Sequence, residues 1–407
     1  MYIERLIEKK ILRKLRLTGG VLIEGARDIG KTKVSQQICK SEITIKENNI
    51  EHIQLDNKIV TSGEKPRLID EWQIYPQTFN IVKHNIDKEE KNNLFILTGS
   101  STPTKWNPLI HTGSGRISRI KMYSLSLQEK KLTTNRISFQ NLFKNKITTG
   151  ENNVELNFYI DEICKGGRPR LINNSVSECI ELNRDYVKNI ISSINRKNIT
   201  KPTLEKVLKD LSRNICCGLN ISSIAKNTGL SKETVSTYLD FLVESNIIEY
   251  IYCWNTHIRS KANLRTSPKI NFTDQCFAVA VLNADREKLL NDFNLLGFMF
   301  ESLVIKQLNI FCSLSDMNLF FYRDSDGLEI DCVIENNDDE WIGIEIKLGS
   351  VEGIENGIKN LNKFYNKLTA EKQKHCKSLN IICASKTSFK VDEKINVISL
   401  ADLYLEQ

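Results

Sequence analysis

The sequence has no CxxC pair among its 11 cysteines and no grouping of Cys or His at metal-ligand spacing, which argues against a structural zinc site. Its first residues, MYIERLIEKKILRKLRL, carry charge throughout and so lack the apolar centre of a signal peptide. An odd number of thiols without an export signal fits a reducing cytosol, where they serve as small hydrophobes. No stretch offers about 18 uncharged apolar residues in a row, so a cytoplasmic location and no membrane partner are expected. His52, His84, His111, His257 and His375 are scattered, leaving no triad or metal cage to propose. Internal repeats and low-complexity tracts are also missing, beyond an enrichment in Lys, Asn and Ile. Charge of neither sign dominates: 57 Lys and Arg against 50 Asp and Glu give +7, which permits a nucleic-acid partner without demanding one.

What is present, over 407 residues, is room for two to four domains. Up to about residue 130, short apolar runs alternate with helical patterns. VLIEG (21–25), HIQLD (52–56), RLID (67–70), LFILTG (94–99) and RISRIKMYS (116–124) read as strands, with helices from Lys31 and over 73–86. That alternation predicts an α/β fold with a parallel sheet. The polar stretch 130–153, containing KNKITTGENN, reads as an insertion or linker. Helical patterns then dominate to about 250, broken by the turn KGGRPR (165–170). A long helical pattern over 286–312 is followed by strands 318–323, 328–335, 341–348 and 379–384 and a helix over 353–367. The domains expected are therefore 1–135, 154–285 and 286–407.

GARDIGKT spans Gly25 to Thr32 between an apolar strand and a helix, which is the context a phosphate loop needs. Glycines at Gly25 and Gly30 let backbone N–H groups face phosphates. Lys31 is expected to reach the β and γ phosphates of ATP, and Thr32 to offer its hydroxyl to Mg²⁺. Asp28, Ile29 and the following Lys33 complete the expected contact set. RLIDEWQ adds Asp70 for the metal and Glu71 to polarise the attacking water. Thr98 and Ser100, at the end of LFILTGSS, are placed to sense the γ-phosphate or merely to cap a turn. Arg116, after a glycine-rich turn, is read as an arginine finger, with Arg119 a weaker candidate; a solvated strand-edge charge is the plain alternative.

Two further regions carry chemistry. ISSIAKNTGLSKETVSTYLDFLVESNIIEYIYCW outlines a winged helix-turn-helix around Gly229. Ser231, Lys232, Thr234, Ser236 and Thr237 supply donors for DNA, but Glu233, Asp240 and Glu244 offset Lys232, so a packing module is an equal reading. Near the C-terminus, Asp331 lies on one strand, and Glu345 and Lys347 share a face of the next. Such a set, with Glu301 on the preceding helix, could hold Mg²⁺ or Mn²⁺ for phosphodiester cleavage, with Lys347 orienting water. Glu329 shares the face of Asp331, and an internal charge network is the competing reading.

LIEGARDIGKT, LIDEWQ, ILTGSS and GRISRIKMYSLSLQE, together with ICKGGRPR, PKINFTDQC, GFMFESLVIKQL, FYRDSDGLEIDCVIE and IGIEIKLG, resemble the prokaryotic AAA-type ATPases that carry a C-terminal domain of unknown function. The resemblance runs over nearly the whole chain. It implies an ATPase sheet with its second acidic motif on the adjacent strand region, an arginine-bearing turn, and a C-terminal domain similar to PD-(D/E)xK nucleases. Lys33 stands where members often have a second Thr, and Arg168 where they have an aromatic; neither change removes a phosphate or metal ligand. The function expected is Mg-dependent ATP hydrolysis coupled to a DNA-directed C-terminal half. The alternative is a nucleotide-dependent switch or interaction scaffold whose nuclease-like domain is inactive. A protein partner or a homo-oligomer is compatible with either, because an arginine finger acts within a chain or across subunits. A sequence-specific regulator would need a dimer and a basic reading helix, and neither is visible.

Overall fold

The computed structural model describes residues 2–99, 114–192, 199–255 and 266–406. It divides into two compact units, Met1–Leu125 with Arg168–Arg170 and Glu244–Asn246, and Ser126–Gly167 with Leu171–Val243 and Ile247–Gln407.

The first unit is built on β1 (Gly20–Glu24), β2 (Ser41–Thr44), β3 (Arg67–Asp70), β4 (Phe95–Thr98) and β5 (Ile117–Lys121). All are parallel, in the order β2-β3-β4-β1-β5. The central strands are apolar because both faces are covered: Leu22, Ile69 and Leu97 join Phe79, Val82 and Ile86 of the helix Gln77–Glu89 in one core. HIQLD forms no strand but most of the helix Ile50–Leu55, where Ile53 is buried and Leu55 is 87% exposed. A four-residue alternation satisfies either period, and the sheet edge is taken instead by SEIT. The second acidic motif is also not beside the phosphate-loop strand. β4 lies between β1 and β3, so that Thr98 pairs with Ile23 on one side and Asp70 on the other.

The second unit contains β6 (Ile137–Ser138), β7 (Gly150–Glu151), β8 (Ile248–Ile251), β9 (Lys269–Phe272), β10 (Asn318–Arg323), β11 (Glu329–Glu335), β12 (Trp341–Lys347), β13 (Cys376–Cys383), β14 (Thr387–Lys390), β15 (Ile395–Ser399) and β16 (Leu403–Tyr404). Seven of them form a mixed sheet, β10-β11-β12-β13-β15-β14-β7, while β16 pairs with β6 and β8 with β9. The stretch 130–153 is therefore no linker: β6 and β7 are tied to strands from the C-terminal end of the chain. Two-residue strands are too short to show a period, which is why the sequence pattern missed them.

Helices Ile221–Thr228 and Lys232–Glu244 flank Gly229, whose φ of 73° favours glycine, and precede the antiparallel pair β8 and β9. The helix Phe293–Ser315 is apolar and long enough to cross a membrane by composition, but 72% of its apolar window is buried inside the fold, as in a core helix. The spans 154–285 and 286–407 share one compact unit, and a buried charge pair links them. Lys306 on that helix meets Asp274 at 3.2 Å with both side chains 2% exposed, and Asp274 also accepts the Gly167 N–H at 2.8 Å. Breaking such a pair costs about 3–5 kcal/mol.

Candidate functional site

The parallel sheet of the first unit ends its strands toward the loop Gly25 to Gly30. Gly25 passes so close to β5's exit that a Cβ there would lie 2.3 Å from the Met122 carbonyl oxygen, and Gly30 has φ 96°. Only glycine fits both positions. Asp28 also takes positive φ, 61°, while Ile29 is buried and Lys33, in the first turn of the following helix, is exposed. Lys31 folds back over the loop, donating to the carbonyls of Gly25 at 2.8 Å and Ala26 at 2.6 Å. Burial pulls its ammonium down to about 8, against Glu71, Asp70 and Asp28, whose charges pull it up.

Strand order brings the expected carboxylate to the loop. Asp70 Oδ1 accepts the Thr32 hydroxyl at 3.0 Å and the Thr98 hydroxyl at 2.5 Å. A carboxylate and a hydroxyl at this spacing form the hard-oxygen set that Mg²⁺ prefers, so the residues fit that ion. Glu71 follows with φ 54°, a backbone state that costs a non-glycine residue about 1 kcal/mol or more and collects at functional sites. Its carboxylate accepts a hydrogen bond from Gln73 Nε2. Ser100 lies outside the described residues.

Arg116 is placed elsewhere. Its carbonyl accepts the Gly20 N–H at the start of β1, at the opposite end of the sheet from the loop and about 13 Å from it along the strand. Its side chain, half exposed, pairs with Asp87 at 2.7 Å. The sheet geometry therefore removes Arg116 from the phosphates of its own chain, which leaves the solvated strand-edge charge or a role across subunits. Arg119, opposite Leu22 in register, pairs with Glu24 at 3.0 Å.

Two residues near the loop were not among those expected at the site. Arg5, 5% exposed, donates to the Ile29 carbonyl at 2.7 Å and the Tyr123 carbonyl at 2.8 Å. It joins the phosphate loop to the segment after β5. Pro169, from the KGGRPR turn, packs within the same unit, its Cγ 3.6 Å from where a Gly30 Cβ would stand. The charged, helical N-terminus hid the first, and the 139-residue separation from Gly30 hid the second.

In the second unit Asp331, Glu345, Lys347 and Glu301 do come together, with a residue the sequence reading missed at their centre. Lys269, at the start of β9 and 2% exposed, lies 3.0 Å from Glu301, 2.7 Å from Glu329 and 4.0 Å from Asp331. Lys347 Nζ lies 2.5 Å from Glu345 and 3.6 Å from Asp331, and Asp331 Oδ2 also accepts the Ile346 N–H at 2.7 Å. Burial pushes the Glu345 and Glu301 carboxyls up, with the Asp331 charge adding to it. Burial alone would lower both lysines, but the surrounding carboxylates outweigh it and raise them. Among the described residues, no group of three His, Cys, Asp or Glu side chains is arranged to hold a metal ion. The metal set expected at Asp331, Glu345 and Glu301 thus has ammonium groups against its oxygens, and the arrangement does not fit a divalent ion.

A family described as an AAA domain matches residues 18–131, one described as a domain of unknown function (DUF4143) matches 296–403, and another domain of unknown function (DUF8612) matches 157–288. Uncharacterized proteins of Mycobacterium tuberculosis and Mycobacterium bovis are each 23% identical over 360 residues, covering 86% of this chain and 75% of theirs. Among solved structures, a signal-transduction ATPase with a tetratricopeptide repeat sensor from Pyrococcus horikoshii gives a TM-score of 0.25 at 11% identity, over 76% of this chain and 48% of that one. The Saccharomyces cerevisiae Hsp104–ADP complex gives 0.28 at 11% identity, over 60% and 39%. The chain spans less than half the length of those two proteins, and at such scores neither bears on the reading. The two ends of the chain thus match an AAA domain and a domain of unknown function.

Proposed function

We propose that this AAA-type ATPase binds ATP with Mg²⁺ at Gly25 to Thr32, hydrolyses it, and uses nucleotide state to switch its second unit. The observation that carries this reading is the chain of bonds from Thr32 through Asp70 to Thr98. It supports the reading by holding a carboxylate suited to Mg²⁺ beside the Gly25 to Thr32 loop. Lys31, released from the Gly25 and Ala26 carbonyls, offers its charge to the β and γ phosphates. Thr32 and Asp70 would hold Mg²⁺, whose charge would offset that of the phosphate oxygens. Glu71, held by Gln73, orients water and accepts its proton. Arg116, remote from the loop of its own chain, would make hydrolysis depend on assembly if it serves as a finger.

The switch reading is favoured over a cleaving one by Lys269 and Lys347, which neutralise the carboxylates from within. A DNA-directed second unit has one observation in its favour: Ser231 and Lys232 are exposed at the start of the helix that follows Gly229. Phosphate release by the purified chain tests hydrolysis. Wild type should exceed Lys31→Ala and Asp70→Asn by at least about a hundredfold, and equal release by all three would sink the reading. A retarded band with duplex DNA, weakened by Lys232→Glu, would support the DNA-directed form.

A further inference from the structure

The second unit buries a lysine that none of its motifs accounts for. Lys269 reaches from β9 into the carboxylates of Glu301, Glu329 and Asp331 at 3.0, 2.7 and 4.0 Å, with 2% of its side chain exposed. Burying an ammonium this completely is unfavourable unless negative groups surround it. Three carboxylates drawn to one point repel one another unless a cation lies between them. Each requirement answers the other. Lys347 does the same on the far side of Asp331, 2.5 Å from Glu345.

We propose that Lys269 is the resident cation of this cluster, standing where a divalent metal would otherwise be needed to hold Glu301, Glu329 and Asp331 together. The nuclease-like set is then a metal-independent brace. It fixes the strand pair β8 and β9 to the helix Phe293–Ser315 and to β11, and does not cleave phosphodiesters with Mg²⁺ or Mn²⁺. A long, flexible ammonium suits this role, because its three donors satisfy carboxylates arriving from two different elements.

The test heats the nucleotide-free full chain, its Asp331→Asn variant, Lys269→Met, and the double variant, each with and without millimolar Mn²⁺. Methionine keeps the volume of the lysine stem and removes the charge. Wild type and Asp331→Asn should respond to Mn²⁺ alike, since any shift from the nucleotide site is common to both. Lys269→Met should melt about 10 °C lower. Mn²⁺ should recover part of that loss, and the recovery should vanish in the double variant. A Mn²⁺-dependent rise in the wild-type midpoint that Asp331→Asn abolishes would overturn the proposal. So would plasmid nicking with Mn²⁺ that depends on Asp331, or a folded Lys269→Met that Mn²⁺ fails to stabilise. If Lys269→Met yields no folded protein, the wild-type and Asp331→Asn comparison decides alone. None of these readouts involves phosphate release from ATP, so the proposal and the hydrolytic reading fail separately.

Discussion

Thr98 donates its hydroxyl to Asp70 at 2.5 Å across neighbouring strands, and Thr32 donates to the same oxygen at 3.0 Å from the helix after the phosphate loop. The carboxylate is thereby held from both sides by hydroxyls. Groups that orient a metal-binding carboxylate are worth roughly ten- to a hundredfold in activity. Thr98→Val, which keeps the shape and deletes the hydroxyl, should lower phosphate release by about tenfold and leave the ATP dissociation constant nearly unchanged. Steady-state phosphate release and a fluorescent-nucleotide titration measure the two effects.

ATP affinity should fall as pH rises above 8. The Lys31 ammonium, lowered to about 8 by burial, is charged below that pH and neutral above it in the free protein. Phosphates restore the proton on binding, so above pH 8 binding must take one up. Each further pH unit should weaken ATP by nearly tenfold until the pKa of the bound state is reached. Nucleotide titrations at pH 7 and pH 9 should therefore differ by about tenfold, and Lys31→Ala should flatten the profile.

Arg5→Ala removes two hydrogen bonds from a buried guanidinium to the Ile29 and Tyr123 carbonyls. The loss in stability should be about 2–4 kcal/mol, read by denaturant unfolding. Because Ile29 belongs to the phosphate loop, KM for ATP should rise more than kcat falls, and Arg5→Lys should recover part of the KM.

Arg116→Ala should leave ATP affinity as in wild type, because the residue sits beside Gly20 at the other end of the sheet. Its effect on turnover should depend on protein concentration: none at dilutions where the chain is monomeric, and a loss of at least about tenfold where subunits associate, as for a finger supplied from outside. Equal loss at every concentration would show that the residue acts within its own chain.

Legibility in the sequence followed the physics of each feature. The phosphate loop was readable because Gly25, Gly30, Lys31 and Thr32 form one contiguous solution to binding phosphate. Asp70 was readable because a carboxylate ends an apolar run. Strand order was not, since no local pattern tells β3 from β4 as the neighbour of β1, and Thr98 became the bridge only when β4 took the middle place. SEIT, half exposed at a sheet edge, has no apolar run to mark it, whereas HIQLD has an alternation that a single buried Ile53 satisfies. Lys269 escaped because a lysine's sequence neighbours do not report its burial. Its partners lie 32 to 62 residues further along the chain.

Those separations bear on how the protein can be cut. A fragment starting at residue 286 would keep Glu301, Glu329 and Asp331 and leave Lys269 behind; it would also lose β6 and β7, which pair with β16 and β14. Such a piece should be recovered as unfolded or aggregated chain even though it contains the whole of the matched span 296–403. The compact unit that holds these strands begins at Ser126, well before residue 296, where the matched span starts.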